Sequence, residues 1–199
     1  MSELLFDEEL HQYTVEGRII PSVTQIISAV GLYEFDFVSD ETLAVAAERG
    51  RKVHQMIEYY EQDDLDESTI DPELKGYFTS YLSMKLSIGM PKPDRIEQRA
   101  WSEKYGYAGT LDQMFGDSWI NDHKTGLPSP VHGLQLSAYW LMLHPDMREK
   151  PYKLTCDYLF RDGAEGELVE YPYEPLVWLS ILADYKWRLK NNLIRSRWR

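Results

Sequence analysis

The stretch 107–126 constrains the fold of this chain most, because it carries the pattern of a β-hairpin. Two runs of mixed apolar and polar residues flank the turn formers Gly-Asp-Ser at 116–118. A turn centred on Asp117 places Asp112 opposite Asp122, and directly opposed residues share a face of the sheet with Cβ atoms about 5 Å apart. Two carboxylates would then face each other, an arrangement that a one-residue change of register would undo.

Opposed carboxylates are destabilising on their own, so the hairpin predicts a nearby cation. Strand side chains alternate between faces, so Lys124 joins Asp122 on one face while His123 points to the other. Hard divalent ions such as Mg²⁺ are held by one or two carboxylates together with waters and substrate phosphates. The face with two carboxylates and an ammonium therefore suits a divalent metal ion.

Further motifs surround this hairpin. Gly-Thr-Leu-Asp at 109–112 is followed by Asp-His-Lys-Thr-Gly at 122–126 and then by Gln135 and Tyr139, while Arg-Gly-Arg-Lys-Val-His stands upstream at 49–54. This string resembles the PD-(D/E)XK nuclease superfamily, specifically its RecB-type or phage-type exonuclease branch, over roughly residues 10–145. Leu111 stands where the superfamily usually has proline, a departure that RecB-type members commonly share.

The resemblance implies an α/β fold with a restriction-endonuclease-like core, in which helices flank a mixed central sheet and an N-terminal β-hairpin and helices precede it. We expect a single nuclease domain over 1–199. Its parts would be an N-terminal hairpin and helix (1–30), a helical part with the histidine motif (40–90), the catalytic sheet core (95–175) and a basic C-terminal helix (175–199).

The resemblance also implies a metal-dependent DNA nuclease, most simply an exonuclease acting in recombination, repair or phage DNA processing. A structure- or sequence-specific endonuclease is an alternative within the enzymes. A nuclease fold that has lost activity and serves as a DNA- or protein-binding module is an alternative of another class, although Asp112, Asp122 and Lys124 are all present.

Mg²⁺ or Mn²⁺ is the cofactor that the resemblance implies. Its expected ligands are Asp112, Asp122, the backbone carbonyl of His123 and His54, with Glu97 or Glu58 as further candidates. His54 lies on the inward face of a helix predicted over 40–62, where the alternative is an ordinary core histidine. Glu58 lies one turn later, and a solvated helix charge is its alternative.

The remaining catalytic candidates are Lys124, Gln135 and Tyr139. Lys124 would position or deprotonate the attacking water, or stabilise the transition state as a point charge, and the sequence leaves these roles open. Gln135 and Tyr139 are four residues apart on a helix predicted over 131–143 and hence neighbours on one face. The resemblance places them beside the lysine, and ordinary helix surface is the alternative.

Cysteine content and hydropathy exclude several classes. The single cysteine, Cys156, cannot form an internal disulfide, and an iron–sulphur cluster needs about four thiolates, so no such cluster is expected. No run of about 18 apolar residues is present, and the acidic N-terminus lacks the pattern of a signal peptide. We therefore expect no membrane contact and a cytoplasmic location, that of the host cell for a phage-encoded chain.

The charge distribution bears on DNA binding. The net charge is −12, yet residues 186–199 hold six basic and no acidic side chains, which leaves fifteen basic against thirty-three acidic residues, a charge of −18, for the rest. Affinity for DNA comes from Lys and Arg neutralising phosphates. The candidates for DNA contact are Arg49, Arg51, Lys52, Lys186, Arg188, Lys190, Arg195 and Arg197, and a solvated helix end is the alternative for the tail. A recombination or single-strand annealing protein and further copies of this chain are the other partners that the resemblance leaves open.

Sequence pattern also predicts the remaining elements. Strands are expected within 3–20, with a turn at Glu16-Gly17, and over 95–101, 153–160 and 167–171. A short helix should follow Ser22 as N-cap and end at Gly31, and longer helices are expected over about 72–88 and 175–195.

Overall fold

The computed structural model describes residues 3–8, 10–33 and 39–194. The strands are β1 Leu4–Asp7, β2 Gln12–Val15, β3 Arg18–Ile20, β4 Arg95–Ser102, β5 Tyr107–Phe115, β6 Trp119–Lys124, β7 Lys153–Tyr158 and β8 Glu167–Glu170. The helices are α1 Val23–Ala29, α2 Asp40–Glu61, α3 Lys75–Ser87, α4 Pro130–Leu143 and α5 Pro175–Lys190. No described helix is both long and apolar enough to cross a membrane.

A five-stranded mixed sheet forms the centre of the molecule. Its strand order is β4-β5-β6-β7-β8, and only the β6–β7 pair is parallel. Parallel neighbours need a crossover connection, and α4 supplies it. One face packs on α1, α4 and α5, and the other face packs on α2 and α3. The predicted α/β class, with helices on both faces of a mixed sheet, is confirmed.

The N-terminal strands form a separate three-stranded antiparallel sheet in the order β1-β2-β3. The predicted turn joins β2 to β3, where Glu16 and Gly17 both have positive φ, 50° and 74°. Tyr13 in β2 lies 2.6 Å from Thr110 of β5 between their hydroxyl oxygens, and Ala108 N–H donates to Pro21 O at 3.0 Å. The small sheet is thereby held against the strand that carries Asp112.

The β5–β6 hairpin has the predicted register. Phe115 pairs with Trp119 and Gln113 with Asn121, so one further step along the ladder brings Asp112 to Asp122. At that step a side chain, not the backbone, accepts the hydrogen bond: the backbone N–H of His123 donates to Asp112 Oδ2 at 2.7 Å. The strands therefore part where the two carboxylates meet.

Two predicted helix bounds are wrong. The second long helix begins at Lys75 rather than near Pro72, because residues 72–74 form a turn before it. The last helix ends at Lys190 rather than near Arg195. Asn192 adopts φ 56°, and Leu193 N–H donates to Arg188 O at 2.9 Å, which is the Schellman pattern that terminates helices.

Candidate metal centre

Helix α2 brings His54 to the hairpin, as its place on the inward face predicts. His54 Nδ1 lies 3.2 Å from Asp112 Oδ2, and His54 Nε2 lies 2.9 Å from the backbone oxygen of His123. Burial would lower the pKa of His54, but the Asp112 carboxylate outweighs it and raises the pKa to about 9. His54 is thus an imidazolium that donates to both groups, and the same interaction holds the pKa of Asp112 below its usual range despite burial.

Glu97 completes this group from the neighbouring strand. The β4–β5 register pairs Ile96 with Gln113 and Gln98 with Leu111, which places Glu97 opposite Asp112. Its φ of 47° lies in the left-handed region that residues with a Cβ rarely adopt. Burial first and then the Asp112 charge raise the pKa of Glu97 to about 8.

Three side chains lie close enough together to hold a metal ion. Donor atoms of His54, Glu97 and Asp112 all lie within 4.8 Å of one another, and this is the one such group among the described residues. Glu58 lies outside the group, and its carboxylate accepts a hydrogen bond from Gln62 Nε2 at 3.1 Å. The Glu97 carboxylate makes no hydrogen bond or ion pair with the part of the chain that the structure describes.

Asp122 belongs to a second, adjoining cluster. Its Oδ2 forms an ion pair with Lys124 Nζ, and its Oδ1 accepts from Gln135 Nε2 at 3.0 Å. Gln135 Nε2 also donates to the Tyr139 hydroxyl at 2.9 Å, while Gln135 Oε1 accepts from Lys124 Nζ at 3.2 Å. Gln135 and Tyr139 are buried, so they are not ordinary helix surface.

The two carboxylates of the hairpin therefore each have a cation, His54 for Asp112 and Lys124 for Asp122. Burial and the Asp112 charge raise the pKa of Asp122. Burial would lower the pKa of Lys124, but Asp122 outweighs it and raises the pKa. A lysine held protonated in this way suits a charge-stabilising role better than that of a base.

A close approach explains the glycine in the first motif. A Cβ on Gly109 would lie 2.7 Å from Cε1 of the Tyr139 ring, closer than side chains tolerate. Gly109 therefore lets α4 pack on β5 so that the Tyr139 hydroxyl and the Gln135 amide reach Asp122.

The polar layer on the opposite face of the hairpin was not predicted from the sequence. The His123 ring points there, as predicted, and its Nδ1 lies 2.7 Å from Asp157 Oδ1. Burial would lower the pKa of His123, but Asp157 outweighs it and raises the pKa. The layer continues through buried side chains in hydrogen-bond contact, namely Asn121, Gln113, Tyr81 and Glu61. The sequence does contain a sign of this layer, namely the three polar residues Asn121 to His123 in a row. A strand that is buried on both faces and paired in parallel is usually apolar throughout, so such a run indicates buried polar contacts.

His123 connects this polar layer to the candidate metal centre. Its N–H holds Asp112, its backbone oxygen accepts from His54, and its side chain pairs with Asp157. A single residue thus orients two candidate ligands through its backbone, and its backbone carbonyl faces the centre as expected.

A cavity of about 490 Å³ opens over the centre, and we call it the carboxylate cavity. Its walls include His54, Glu97, Asp112, Asp122 and Lys124. His11 and Tyr13 of the N-terminal segment and Gly50 and Arg51 of α2 line it too. The N-terminal sheet, for which no chemical role was predicted, is therefore part of the site.

The predicted DNA-contacting residues are dispersed. Arg51 lines the carboxylate cavity and pairs with Glu48 at 2.8 Å, Lys52 lies 3.7 Å from the same Glu48, and Arg49 is half-buried. On α5, Lys186 Nζ donates to Tyr105 O at 2.7 Å, Arg188 pairs with Asp184 at 2.9 Å, and Lys190 is exposed. Arg195 and Arg197 lie outside the described residues.

Comparison with known proteins supports the fold alone. No protein-family model and no curated protein matches the chain. A solved structure from Eubacterium rectale, named "Putative exonuclease", is similar with a TM-score of 0.53 and 10% identity, over 74% of this chain and 69% of that chain. A second solved structure, named SSO0001, has 16% identity over 77% of this chain and 76% of that chain, but its TM-score of 0.34 is too low to indicate a shared fold.

Proposed function

We propose that this protein is a divalent-metal-dependent deoxyribonuclease that acts as an exonuclease. The observation that carries the proposal is the convergence of His54, Glu97 and Asp112, with donor atoms within 4.8 Å, beside the Asp122–Lys124 ion pair. The similarity in fold to a protein named as an exonuclease supports the same class. DNA is the proposed substrate.

The donor set fits Mg²⁺ or Mn²⁺. Carboxylate and carbonyl oxygens suit both ions, and one imidazole nitrogen is a ligand of transition metals. Glu97 lies opposite Asp112 across paired strands, and burial and the Asp112 charge raise its pKa, so a divalent cation would favour the ionised form of the Glu97 carboxylate. His54, Glu97 and Asp112 would hold the ion, with the His123 backbone oxygen as a further donor. Because a ligand must give up its proton, the ion would displace a proton from His54 and the proton that Glu97 retains.

A bound divalent ion would supply an acidified water and neutralise charge on the phosphate oxygens. The side chains of this chain do the rest. Lys124, kept protonated by Asp122, directs a positive charge into the cavity where a phosphodiester would gain negative charge. Gln135 holds both members of that pair in place, and Tyr139 braces Gln135.

The test is cleavage of closed-circular and linear DNA in Mg²⁺, in Mn²⁺ and in EDTA. We expect linear DNA to be degraded with metal only and the closed circle to stay intact. An Asp112→Asn variant of equal size, checked for folding by thermal unfolding, should lose both cleavage and metal binding by calorimetry. Nicking of the closed circle would show that the enzyme is an endonuclease and not an exonuclease. If the wild-type protein neither binds metal nor cleaves DNA, the proposal is wrong.

A further inference from the structure

A second cavity, of about 600 Å³, adjoins the metal centre, and we call it the side cavity. It shares Gly50, His54 and Lys124 with the carboxylate cavity. Its volume falls within the range of about 300–1,000 Å³ typical of small-molecule sites. Because Lys124 lines both cavities, a DNA strand with a phosphate at Lys124 can extend into both of them.

The polar part of the side cavity lies at the start of α4. Ser129 caps the helix, and His132 follows within its first turn. His132 Nδ1 lies 2.6 Å from the Tyr158 hydroxyl, which in turn lies 2.5 Å from the Tyr171 hydroxyl. Burial and then the Lys124 charge lower the pKa of His132 to about 4, so the ring is neutral.

The hydrogen-bond chain leaves one ring nitrogen for a ligand. In one of the two possible orders of this chain, Tyr171 donates to Tyr158 and Tyr158 donates to His132 Nδ1. A neutral imidazole that accepts at Nδ1 carries its hydrogen on Nε2. His132 Nε2 makes no hydrogen bond to the described residues, so in this order it is a donor available at the cavity.

The rim of the side cavity is apolar and aromatic. Leu127, in the loop between β6 and α4, is 84% exposed, Leu32 is 37% exposed, and Tyr33 lies beside them. A single exposed leucine needs no explanation, but two leucines and a tyrosine around a cavity next to a lysine form a surface for a flat apolar face. Aromatic side chains next to positive charge are the usual platform for unpaired bases.

We propose that the side cavity is a nucleotide subsite, which takes the nucleotide next to the cleaved phosphodiester of a single strand. The base lies against Leu127, Leu32 and Tyr33, while Lys124 and His132 Nε2 donate to phosphate or sugar oxygens. A base held in this cavity cannot at the same time be paired, so the strand that enters is single or frayed at its end. The proposal rests on the nuclease function proposed above.

The first test compares two leucines of equal exposure. Leu127 and Leu86 are 84% and 85% exposed, and Leu86, on α3, lines neither of the two cavities. The probe is a fluorescent oligothymidylate, titrated in EDTA and followed by anisotropy. Leu127→Glu should weaken binding about tenfold through like-charge repulsion and loss of the apolar contact, whereas Leu86→Glu, with the same change in net charge, should bind within about twofold of wild type.

A second pair of variants tests the imidazole donor. His132→Gln places an amide near the position of Nε2, and His132→Asn places one near Nδ1, so only the glutamine variant keeps a donor at the cavity. We expect the asparagine variant to bind several-fold more weakly and the glutamine variant to bind close to wild type. Thermal unfolding of both variants separates this effect from a loss of folding.

Each of three results would overturn the subsite. The first is an equal loss of oligothymidylate affinity in Leu127→Glu and Leu86→Glu, and the second is wild-type affinity in Leu127→Glu. The third is equal affinity in His132→Gln and His132→Asn. Tighter binding of a blunt duplex than of the single strand would overturn its substrate class. Because the binding assay needs no cleavage, its failure is separate from that of the nuclease proposal. If the protein cleaves DNA in Mn²⁺ but Leu127→Glu binds the oligothymidylate as wild type does, the subsite proposal fails and the nuclease proposal stands.

Discussion

At the scale of single residues, Glu97 is the most informative side chain of the molecule. It combines a left-handed backbone, a raised pKa and a position opposite Asp112. Each of these features costs folding free energy, and such costs persist chiefly where the surrounding structure enforces them for function. A metal ion near this carboxylate would offset the charge repulsion, which is why the site and the strain coincide.

Replacing Glu97 with glutamine should therefore stabilise the protein and weaken its metal site. Glu97→Gln keeps the shape but removes a carboxyl group that, above the pKa of about 4.5 of a free glutamate, must take up a proton or bury a charge beside Asp112 when the chain folds. We expect a higher melting temperature in EDTA, by about 2–4 °C for each kcal/mol relieved, and metal affinity about 10- to 100-fold lower by calorimetry. Glu103→Gln, at an exposed residue in the turn after β4, is the matched control and should change neither. A lower melting temperature with unchanged affinity would contradict the assignment.

Lys124 should act on turnover rather than on metal binding. Lys124→Met removes the charge beside Asp122 while it keeps most of the apolar stem. We expect kcat to fall by about 10²–10³, the loss typical of one charge-stabilising group, with Mn²⁺ affinity close to wild type. An equal loss of metal affinity in Lys124→Met and Asp122→Asn would show that the lysine serves the metal site instead.

Asp157 should influence the metal centre through His123, although it lies on the other face of the sheet. Asp157→Asn removes the charge that orients the His123 ring, and the His123 backbone holds Asp112 and His54. We expect metal affinity to fall about tenfold, as for other residues that orient ligands. Glu61→Gln, at the far end of the same polar layer, should lower the melting temperature and leave metal affinity unchanged. Equal effects of both variants on affinity would remove the special role of Asp157.

At the scale of elements, two glycines within helices should respond to alanine with opposite signs. A Cβ on Gly76 of α3 would lie 1.8 Å from the backbone oxygen of Arg161, whereas one on Gly50 of α2 would have its nearest neighbour, Thr125 Oγ1, at 4.0 Å. Alanine is the better helix former by about 1 kcal/mol. Gly50→Ala should therefore raise the free energy of unfolding by about that amount, and Gly76→Ala should lower it by several times more.

Urea unfolding of the two glycine variants measures both effects on one scale. Stabilisation by Gly76→Ala would mean that α3 can move away from the loop at Arg161. A matching loss in both variants would mean that helix propensity is outweighed at Gly50 as well, by the packing of α2 against the hairpin.

At the scale of the whole molecule, charge is the feature that a DNA-binding role must overcome. The net charge is −12, and residues 195–199 contribute three arginines, Arg195, Arg197 and Arg199. Ile194 is buried, and a truncation that removes 195–199 keeps it. Thermal unfolding of the truncated protein checks that its fold is kept.

The truncated protein should bind DNA with a weaker dependence on salt. Each phosphate contact contributes about 0.9 to the log–log slope on duplex DNA or about 0.7 on a single strand, so losing three contacts predicts a change of roughly 2 to 3. We expect a higher KM with little change in kcat at saturating DNA. An unaltered slope would move the search for the DNA path to Arg49, Arg51 and Lys52 beside His54.

Local patterns predicted much of this protein. Alternation and turn residues gave the hairpin with Asp112 near Asp122, and helical spacing put His54 on the inward face and Gln135 beside Tyr139. These features depend on chain geometry within one element or between neighbouring strands, where the period of side chains decides which residues meet. The end of α5 was also predictable, since Asn191-Asn192 is a pair that favours helix termination.

Contacts between distant parts of the chain were decided only by the tertiary structure. The sequence left Glu97 and Glu58 both open as ligands, and the packing of α2 on β4 and β5 brought Glu97 and not Glu58 to Asp112 and His54. The pairing of β7 with β6 placed Asp157 against His123, and the burial of Lys124 beside Asp122 set the pKa of Lys124 above its usual value. Such outcomes follow from burial and from the few ångströms that separate charges on different elements, quantities to which residue order along the chain gives no access.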